Sequence, residues 1–296
     1  PAFLRTPEAA SAVGELSREP DRWKGAGQPH DRERDTAHFV DLTEDGKVMT
    51  AQGLSIDALP RLKSEYDAQL LAAGIKVDDA GYLPYAIMDA WQQLARDFAY
   101  WRVLHAQVQR ETDPQRLAWY RDDLARREAL VLRDLGVLSH YIGDGSQPHH
   151  VTIHYNGWDR DTPNPEGFTT SRQTHSQFEG AFTARVSTLP AVQAAMPASR
   201  LEGFELKART VQYLRGTLEQ VVPFYRLEKQ GGFRDTDPRG ARFAVRQLGL
   251  AAAELRDLTV LAWRAAGEQS VGWPAVKVAE VEAGTADPWL AMIGED

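Results

Sequence analysis

Histidines and carboxylates are concentrated in one part of the chain. Four of the eight histidines lie between residues 140 and 154, and a fifth follows at residue 175. His140 and Asp144 are four residues apart, as are His175 and Glu179, so each pair would project from one face of a helix. A histidine and a carboxylate placed in this way can share one metal ion, and such ligands suit zinc. The spacing therefore predicts a metal centre built from two helical pairs that flank a histidine-rich loop.

The elements that must position these pairs are predicted to be helical. A long helix should begin with Asp113 as its N-cap and Pro114 at its first position, and it should carry His140. Its apolar residues recur at spacings of 4, 3 and 4, the period of a buried helix face. Gly136, one turn before His140, is expected to leave space above the pair. Further helices are predicted over residues 82–109, 206–228 and 239–268, and another should begin near His175.

The remaining segments and the composition define the class of protein. Residues 143–174 form a long loop that we interpret as functional, and residues 270–296 are predicted to be an irregular tail. Strand patterns are nearly absent, so we predict one compact all-α domain over residues 1–296.

The composition excludes several classes of protein. The 296 residues include 42 acidic and 34 basic side chains, a net charge of -8, and no cysteine. Disulfides, thiolate metal sites and a cysteine nucleophile are therefore excluded, and tight nonspecific binding to duplex DNA is disfavoured.

The segment SHYIGDGSQPHH resembles the core motif of a known superfamily. The zinc-dependent phospholipases C of bacteria and the single-strand-specific zinc nucleases of fungi and plants share a motif of the form L-H-x-x-G-D-x-x-Q-P-x-H. The residues that match it are His140, Gly143, Asp144, Gln147, Pro148 and His150. Upstream, AHFVD is similar to the His-Phe-x-Asp of both branches, and THSQFE is similar to the His-x-x-x-Glu of the phospholipases. The resemblance implies their multi-helix fold, with a metal cluster in a cleft between helices.

The resemblance also implies a set of ligands. One zinc ion would be held by Asp21, His38, His140 and Asp144, and a second by His150, His175 and Glu179. Nearby Asp31 and Asp35 are alternatives to Asp21. In the family a third zinc binds the equivalent of Asp144, an N-terminal tryptophan and an early histidine, whereas this chain begins at Pro1 and has no histidine before His30. We therefore expect the natural protein to have an upstream segment that begins with tryptophan and carries one histidine.

The chemistry expected of such a centre is hydrolysis of a phosphodiester by metal-activated water. Asp21 is the candidate catalytic residue, since it would orient or deprotonate that water. Four residues are predicted to contact the substrate, namely Lys24, Phe39, Asp41 and Tyr155. Lys24 would contact phosphate, although a solvated lysine is the simpler interpretation, and the two aromatic side chains could equally pack the fold.

Three functions remain open at the level of sequence. A phospholipase C acting on phospholipid headgroups is favoured by Glu179, because the nucleases usually have aspartate there. A single-strand-preferring nuclease or 3′-nucleotidase is favoured by the long loop, in which Tyr155, Trp158 and Phe168 could stack on bases. A non-catalytic zinc-binding protein is the third alternative. Two aromatic positions of the choline-specific pocket are Arg22 and Asp35 here, which disfavours a phosphatidylcholine substrate and leaves an anionic substrate or another phosphodiester open.

The sequence gives little direct information on location or partners. No apolar run is long enough to cross a bilayer, and no stable protein partner is implied. Pro1 and the absence of a signal pattern are interpreted as a processed or truncated front end. The resemblance implies a secreted or periplasmic protein.

Overall fold

The computed structural model describes residues 1–25, 27–234 and 237–294, and these residues are predominantly helical. The α-helices of the first half are α1 (Pro7–Leu16), α2 (Glu19–Trp23), α3 (Asp31–Asp35), α4 (Lys63–Ala72), α5 (Val77–Ala80), α6 (Leu83–Arg110) and α7 (Pro114–Ser146). Those of the second half are α8 (Thr174–Ser176), α9 (Thr183–Val186), α10 (Leu189–Ala195), α11 (Leu206–Leu218), α12 (Val221–Lys229), α13 (Pro238–Ala266), α14 (Val278–Ala283) and α15 (Trp289–Ile293). The predicted all-α class is confirmed.

Shorter elements complete the described chain. Turns of 3-10 helix occur at Phe3–Arg5, Thr36–His38, Ile56–Ala58 and Pro148–Val151, and a π-helix occurs at Gln177–Phe182. Strands β1 (Ser270–Val271) and β2 (Val276–Lys277) form an antiparallel hairpin. In the described ranges no helix combines the length and the apolar character that crossing a bilayer requires.

The chain divides into two compact units. The first comprises residues 1–20, 89–139 and 256 onward, and the second comprises residues 21–88 and 140–255. The prediction of a single domain stays a prediction. All seven predicted metal ligands belong to the second unit.

The long helix α7 begins as the sequence predicts. Asp113 Oδ1 accepts hydrogen bonds from the backbone N–H groups of Gln115 and Arg116, at 2.8 and 3.0 Å, which is the contact of an N-cap. Pro114 is the first helical residue, where its missing N–H costs nothing.

The C-terminal end of α7, which carries His140 and Asp144, is held by side chains of the second unit. Thr217 of α11 donates to the carbonyl of Gly145 at 2.7 Å, and Gln247 of α13 donates to the carbonyl of Ser146 at 2.8 Å. The two preceding carbonyls accept bonds from within the same turn. Since the last four carbonyls of a helix have no partner within it, these bonds fix the end of α7 and the face that carries the predicted ligands His140 and Asp144.

The helix predicted over residues 206–228 is two helices. α11 ends at Leu218, and α12 begins at Val221. Pro223 explains the break, because it has no N–H to donate to the carbonyl of Glu219 and its ring would clash with that carbonyl in a continuous helix.

The segment predicted to be an irregular tail is more ordered than the sequence indicated. It contains the β1–β2 hairpin, α14 and α15. Glu282 of α14 receives two hydrogen bonds from the Arg102 guanidinium of α6, at 2.8 and 2.7 Å. Gly272 has a φ of +73°, and a Cβ there would lie 2.0 Å from the carbonyl oxygen of Ala291, so the hairpin requires glycine at this position.

Gly136 serves helix packing in the first unit, which corrects the expectation that it leaves space at the metal centre. A Cβ at residue 136 would lie 2.7 Å from the carbonyl carbon of Leu16 in α1. We expect Gly136→Ala to lower the free energy of unfolding by about 1–3 kcal/mol, because the backbone of α1 must move. Thermal denaturation measures this effect. Gly14→Ala in α1 is the control, since its Cβ would meet nothing within 4 Å; equal stability of the two variants would contradict the prediction.

Candidate metal centre

The first group of ligand atoms comes from three separate elements. Helix α7 supplies His140 and Asp144, the 3-10 turn Thr36–His38 supplies His38, and α2 supplies Asp21. His38 Nδ1 lies 2.9 Å from His140 Nε2 and 3.1 Å from Asp144 Oδ2. The distance between His140 Nε2 and Asp144 Oδ2 is 3.3 Å. Asp21 Oδ1 lies 3.9 Å from His38 Nδ1 and 4.0 Å from His140 Nε2. Both carboxylates therefore lie within 4.0 Å of the same two imidazole nitrogens.

This first group fits a divalent metal ion. Ligands at about 2.0–2.1 Å from a tetrahedral zinc ion lie about 3.4 Å from one another. The ligand atoms of His38, His140 and Asp144 are 2.9–3.3 Å apart, and Asp21 Oδ1 lies 3.9 and 4.0 Å from the two histidine nitrogens. Asp21, His38 and His140 lie close enough together to hold an ion. Donor sets of two histidines and two carboxylates are also used by other divalent metals, so this candidate metal site does not identify the metal.

The second group follows the 3-10 turn Pro148–Val151. His150 Nε2 lies 3.1 Å from His175 Nε2 and 3.4 Å from Glu179 Oε2, while the latter two atoms are 2.6 Å apart. His150 Nδ1 donates to the backbone carbonyl of His38 at 2.7 Å, which leaves the lone pair of Nε2 directed toward this group. These three residues are also close enough to hold a metal ion.

Asp144 lies between the two groups. Its Oδ2 contacts the histidines of the first group, and its Oδ1 lies 3.5 Å from Nδ1 of His150. Asp144 is buried, so water does not screen these contacts. One carboxylate thus connects both candidate sites.

The helical pair His175 and Glu179 lies on an irregular helix. α8 contributes His175, and the π-helix that follows contributes Glu179. Single π-turns are frequent at functional sites because they alter the direction of side chains within a helix. Here Phe178 is buried against Phe224, with ring centroids 4.9 Å apart, while the neighbouring Glu179 is 51 % exposed and faces the histidines.

The electrostatics of the two groups are strongly coupled. Burial alone would raise the pKa of Asp144, but the adjacent His150, His140 and His38 outweigh it and hold that pKa well below its usual range. The pKa of Glu179 is likewise lowered, because His150 and His175 outweigh its burial. For His150, burial favours the neutral ring, yet Asp144 and Glu179 raise its pKa to about 9.

Metal binding is therefore expected to release a proton from His150. At neutral pH this imidazole is protonated in the metal-free protein, whereas a ligand nitrogen must be neutral. The apparent association constant of the second metal ion should rise about tenfold per pH unit from pH 7 to 8.5 and level off near the pKa of His150. Competition with a chromophoric chelator measures this dependence. An affinity that does not change between pH 7 and 8.5 would contradict this prediction.

A cavity of about 1050 Å³ opens beside both groups. Its walls include His38, His150 and His175, and the four residues predicted to contact substrate, Lys24, Phe39, Asp41 and Tyr155, all line it. Including Asp41, eight acidic side chains line it, and five of the others are Glu44, Asp78, Asp79, Asp159 and Asp161. Lys24 is the one lysine in this lining, and arginine is absent from it among the described residues. The cavity is therefore strongly acidic.

Asp21 is the aspartate that reaches the histidines. Asp31 instead accepts hydrogen bonds from the backbone of Gly27 and Gln28, at 2.6 and 3.1 Å. The ammonium group of Lys24 lies 3.6 Å from Asp35 and 2.9 Å from Asp21. Lys24 is thus an ion-paired side chain at the edge of the cavity.

The aromatic side chains of the long loop have different environments. Trp158 and Phe168 are buried, and Trp158 stacks on His154 with ring centroids 3.7 Å apart. Tyr155 is 43 % exposed and lines the cavity. Of these three side chains, only Tyr155 has an exposed face for a ligand.

Two further histidines, His149 and His154, lie beside the candidate centre. His154 is buried and donates from Nε2 to Glu44 at 2.9 Å, since its Nδ1 accepts from the backbone of Asp159. His149 lines the cavity and stacks on His175, with ring centroids 5.1 Å apart. No sequence pattern distinguishes these roles, because both depend on contacts across the fold.

Comparison with protein-family models, with curated proteins and with solved structures finds no match to this chain. The fold and the site define a predominantly helical protein with two adjacent candidate metal-binding groups.

Proposed function

We propose that this protein is a zinc-dependent phosphodiesterase of the phospholipase C type. It would add water to the phosphorus of a phospholipid, break the bond to the glycerol oxygen, and release diacylglycerol and a phosphorylated headgroup. The observation that carries the proposal is the pair of ligand groups connected by Asp144 beside one cavity. Adjacent metal sites of this kind are used to cleave phosphate esters.

Each residue near the cavity has a defined task in this proposal. His38, His140, Asp144 and Asp21 would hold one zinc ion, and His150, His175 and Glu179 a second. When bound, zinc would activate water and stabilise negative charge on the phosphate. Asp21 is 56 % exposed, so it can orient the attacking water and accept its proton. Lys24, held next to Asp21, would contact a phosphate oxygen.

The lining of the cavity favours a phospholipid over a nucleic acid. Eight acidic residues and one lysine would repel a polyanion, whereas binding of single strands relies on a basic groove and several aromatic platforms. The burial of Trp158 and Phe168 removes two of the three proposed stacking side chains. A third zinc site and a secreted or periplasmic location are further parts of the proposal.

A paired assay of the zinc-loaded protein tests the proposed function. Phospholipid vesicles of several headgroups and single-stranded DNA and RNA are offered separately, with metal-free protein and His140→Ala as controls. We expect the zinc-loaded protein to release the phosphorylated headgroup from lipid and to leave the nucleic acids intact. Both controls should release no headgroup. Rapid cleavage of nucleic acid with inert lipid would favour the nuclease, and zinc binding without hydrolysis of any phosphodiester would indicate a non-catalytic zinc protein.

A further inference from the structure

Asp41 carries a buried carboxylate oxygen without a protein partner. The residue is 5 % exposed and lines the cavity. Its backbone is held on both sides, since its N–H donates to Ala80 at 2.9 Å and its carbonyl accepts from Met49 at 2.7 Å. Its Oδ1 nonetheless has no hydrogen bond within the described part of the chain. A buried polar atom of this kind costs free energy unless a ligand supplies a partner.

His149 presents a second such atom in the same cavity. The amide of Gln147 is oriented by the backbone N–H of His149, which donates to its Oε1 at 3.3 Å. Because His149 Nδ1 faces the same oxygen at 3.3 Å, Nδ1 carries the proton and Nε2 is an acceptor. His149 is 1 % exposed, and its Nε2 has no hydrogen bond within the described residues.

His149 Nε2 is an acceptor. Burial raises the pKa of the Asp41 carboxyl, and a cation beside its Oδ1 would favour the charged form, in which that oxygen is also an acceptor. The cavity that both residues line is acidic. The ligand that satisfies them must therefore offer N–H or O–H donors and, to match the lining, positive charge. A primary ammonium offers three N–H donors, whereas a quaternary ammonium offers none. Aromatic side chains that favour a quaternary ammonium are limited here to Phe39 and Tyr155 in the described lining, apart from the imidazoles.

We infer that the cavity selects phosphodiesters whose headgroup carries a primary ammonium, as in phosphatidylethanolamine, over those with a quaternary ammonium. Asp41 and His149 are the specificity-determining residues. The inference rests on the proposed phospholipase activity, of which it names the substrate class. It also explains why an acidic cavity lies beside a phosphate-binding centre, since the cationic headgroup requires the acids and the phosphate requires the metal.

A series of headgroups that differ by single methyl groups tests this selectivity. Phosphatidylethanolamine, its N-methyl and N,N-dimethyl derivatives and phosphatidylcholine are offered at equal mole fraction in neutral detergent micelles. We expect kcat/KM to fall at each methylation and by at least about tenfold across the series, because each methyl group removes a donor. Equal rates, or a higher rate for phosphatidylcholine, would overturn the inference.

Two variants assign the selectivity to named atoms. Asp41→Asn removes the carboxyl that a cation would ionise, and His149→Phe removes the ring acceptor while keeping a ring to stack on His175. Each should lower the ethanolamine-to-choline ratio of kcat/KM to within about twofold of unity, a ratio that does not depend on the total amount of active enzyme. Asp67→Asn is the matched control, because Asp67 also has an orphaned buried oxygen but lies outside the lining of the cavity. An unchanged ratio in both test variants would contradict the assignment.

Binding of the products separates this inference from the proposed function. Calorimetric titration of the zinc-loaded protein with phosphoethanolamine and with phosphocholine requires no turnover. Tighter binding of phosphoethanolamine supports the inference even if no lipid is hydrolysed, in which case only the proposed activity fails. Equal binding of the two ligands, with or without hydrolysis, overturns the inference and leaves the metal centre unaffected.

Discussion

Replacement of Asp144 by asparagine is expected to abolish metal binding at both candidate sites. Asp144 contacts His38 and His140 through one oxygen and His150 through the other, so the loss of its charge affects both groups at once. Turnover of any phosphodiester should fall by at least about a thousandfold, since several kcal/mol of charge stabilisation correspond to about three decades in rate. Metal per chain after dialysis, measured by mass spectrometry, should fall from two toward zero.

The same substitution elsewhere on α7 provides the control. Asp134 is equally buried, and burial and the neighbouring Asp97 raise its pKa to about 8, so its side chain is already largely neutral at pH 7. Asp134→Asn should therefore keep both metal ions and the activity. Full metal content in Asp144→Asn, or equal metal loss in the two variants, would show that Asp144 neither binds the first metal nor supports the second through His150.

Much of the metal centre could be predicted because its key residues are close in sequence. The His140–Asp144 and His175–Glu179 pairs follow from helical periodicity alone, and the structure places each pair in contact. Asp21 and His38 belong to other elements, and only their resemblance to a known motif connected them to α7. Their convergence depends on tertiary packing, for which spacing along the chain carries no information.

The fold could be predicted in class and in its long helices, but less well at their ends. The break before α12 follows from Pro223, so a residue in the sequence itself accounts for it. The role of Gly136 was not available, because its contact with Leu16 joins residues 120 positions apart. The acidic lining of the cavity and the orphaned atoms of Asp41 and His149 could not be predicted either, since no periodic pattern in the sequence brings these residues together.

The second group should be separable from the first by a substitution at Glu179. This residue is the only carboxylate among the second group's three ligands in the described structure, and its half-exposed side chain contributes little to the core. Glu179→Gln should therefore reduce bound metal from two ions to one while the fold and the first site persist. Turnover should fall by about a hundredfold or more, because stabilisation of phosphate charge by a second ion is lost.

A stepwise metal titration of Glu179→Gln measures this separation, with Glu202→Gln as a control that removes an exposed glutamate from another part of the second unit. The control should bind two ions and keep its activity. Cobalt substitution adds a spectroscopic test, because each four-coordinate site contributes its own visible absorption and one contribution should disappear. Retention of two tight sites in Glu179→Gln would place the second metal elsewhere, whereas loss of both would mean that the two groups form one cooperative centre through Asp144.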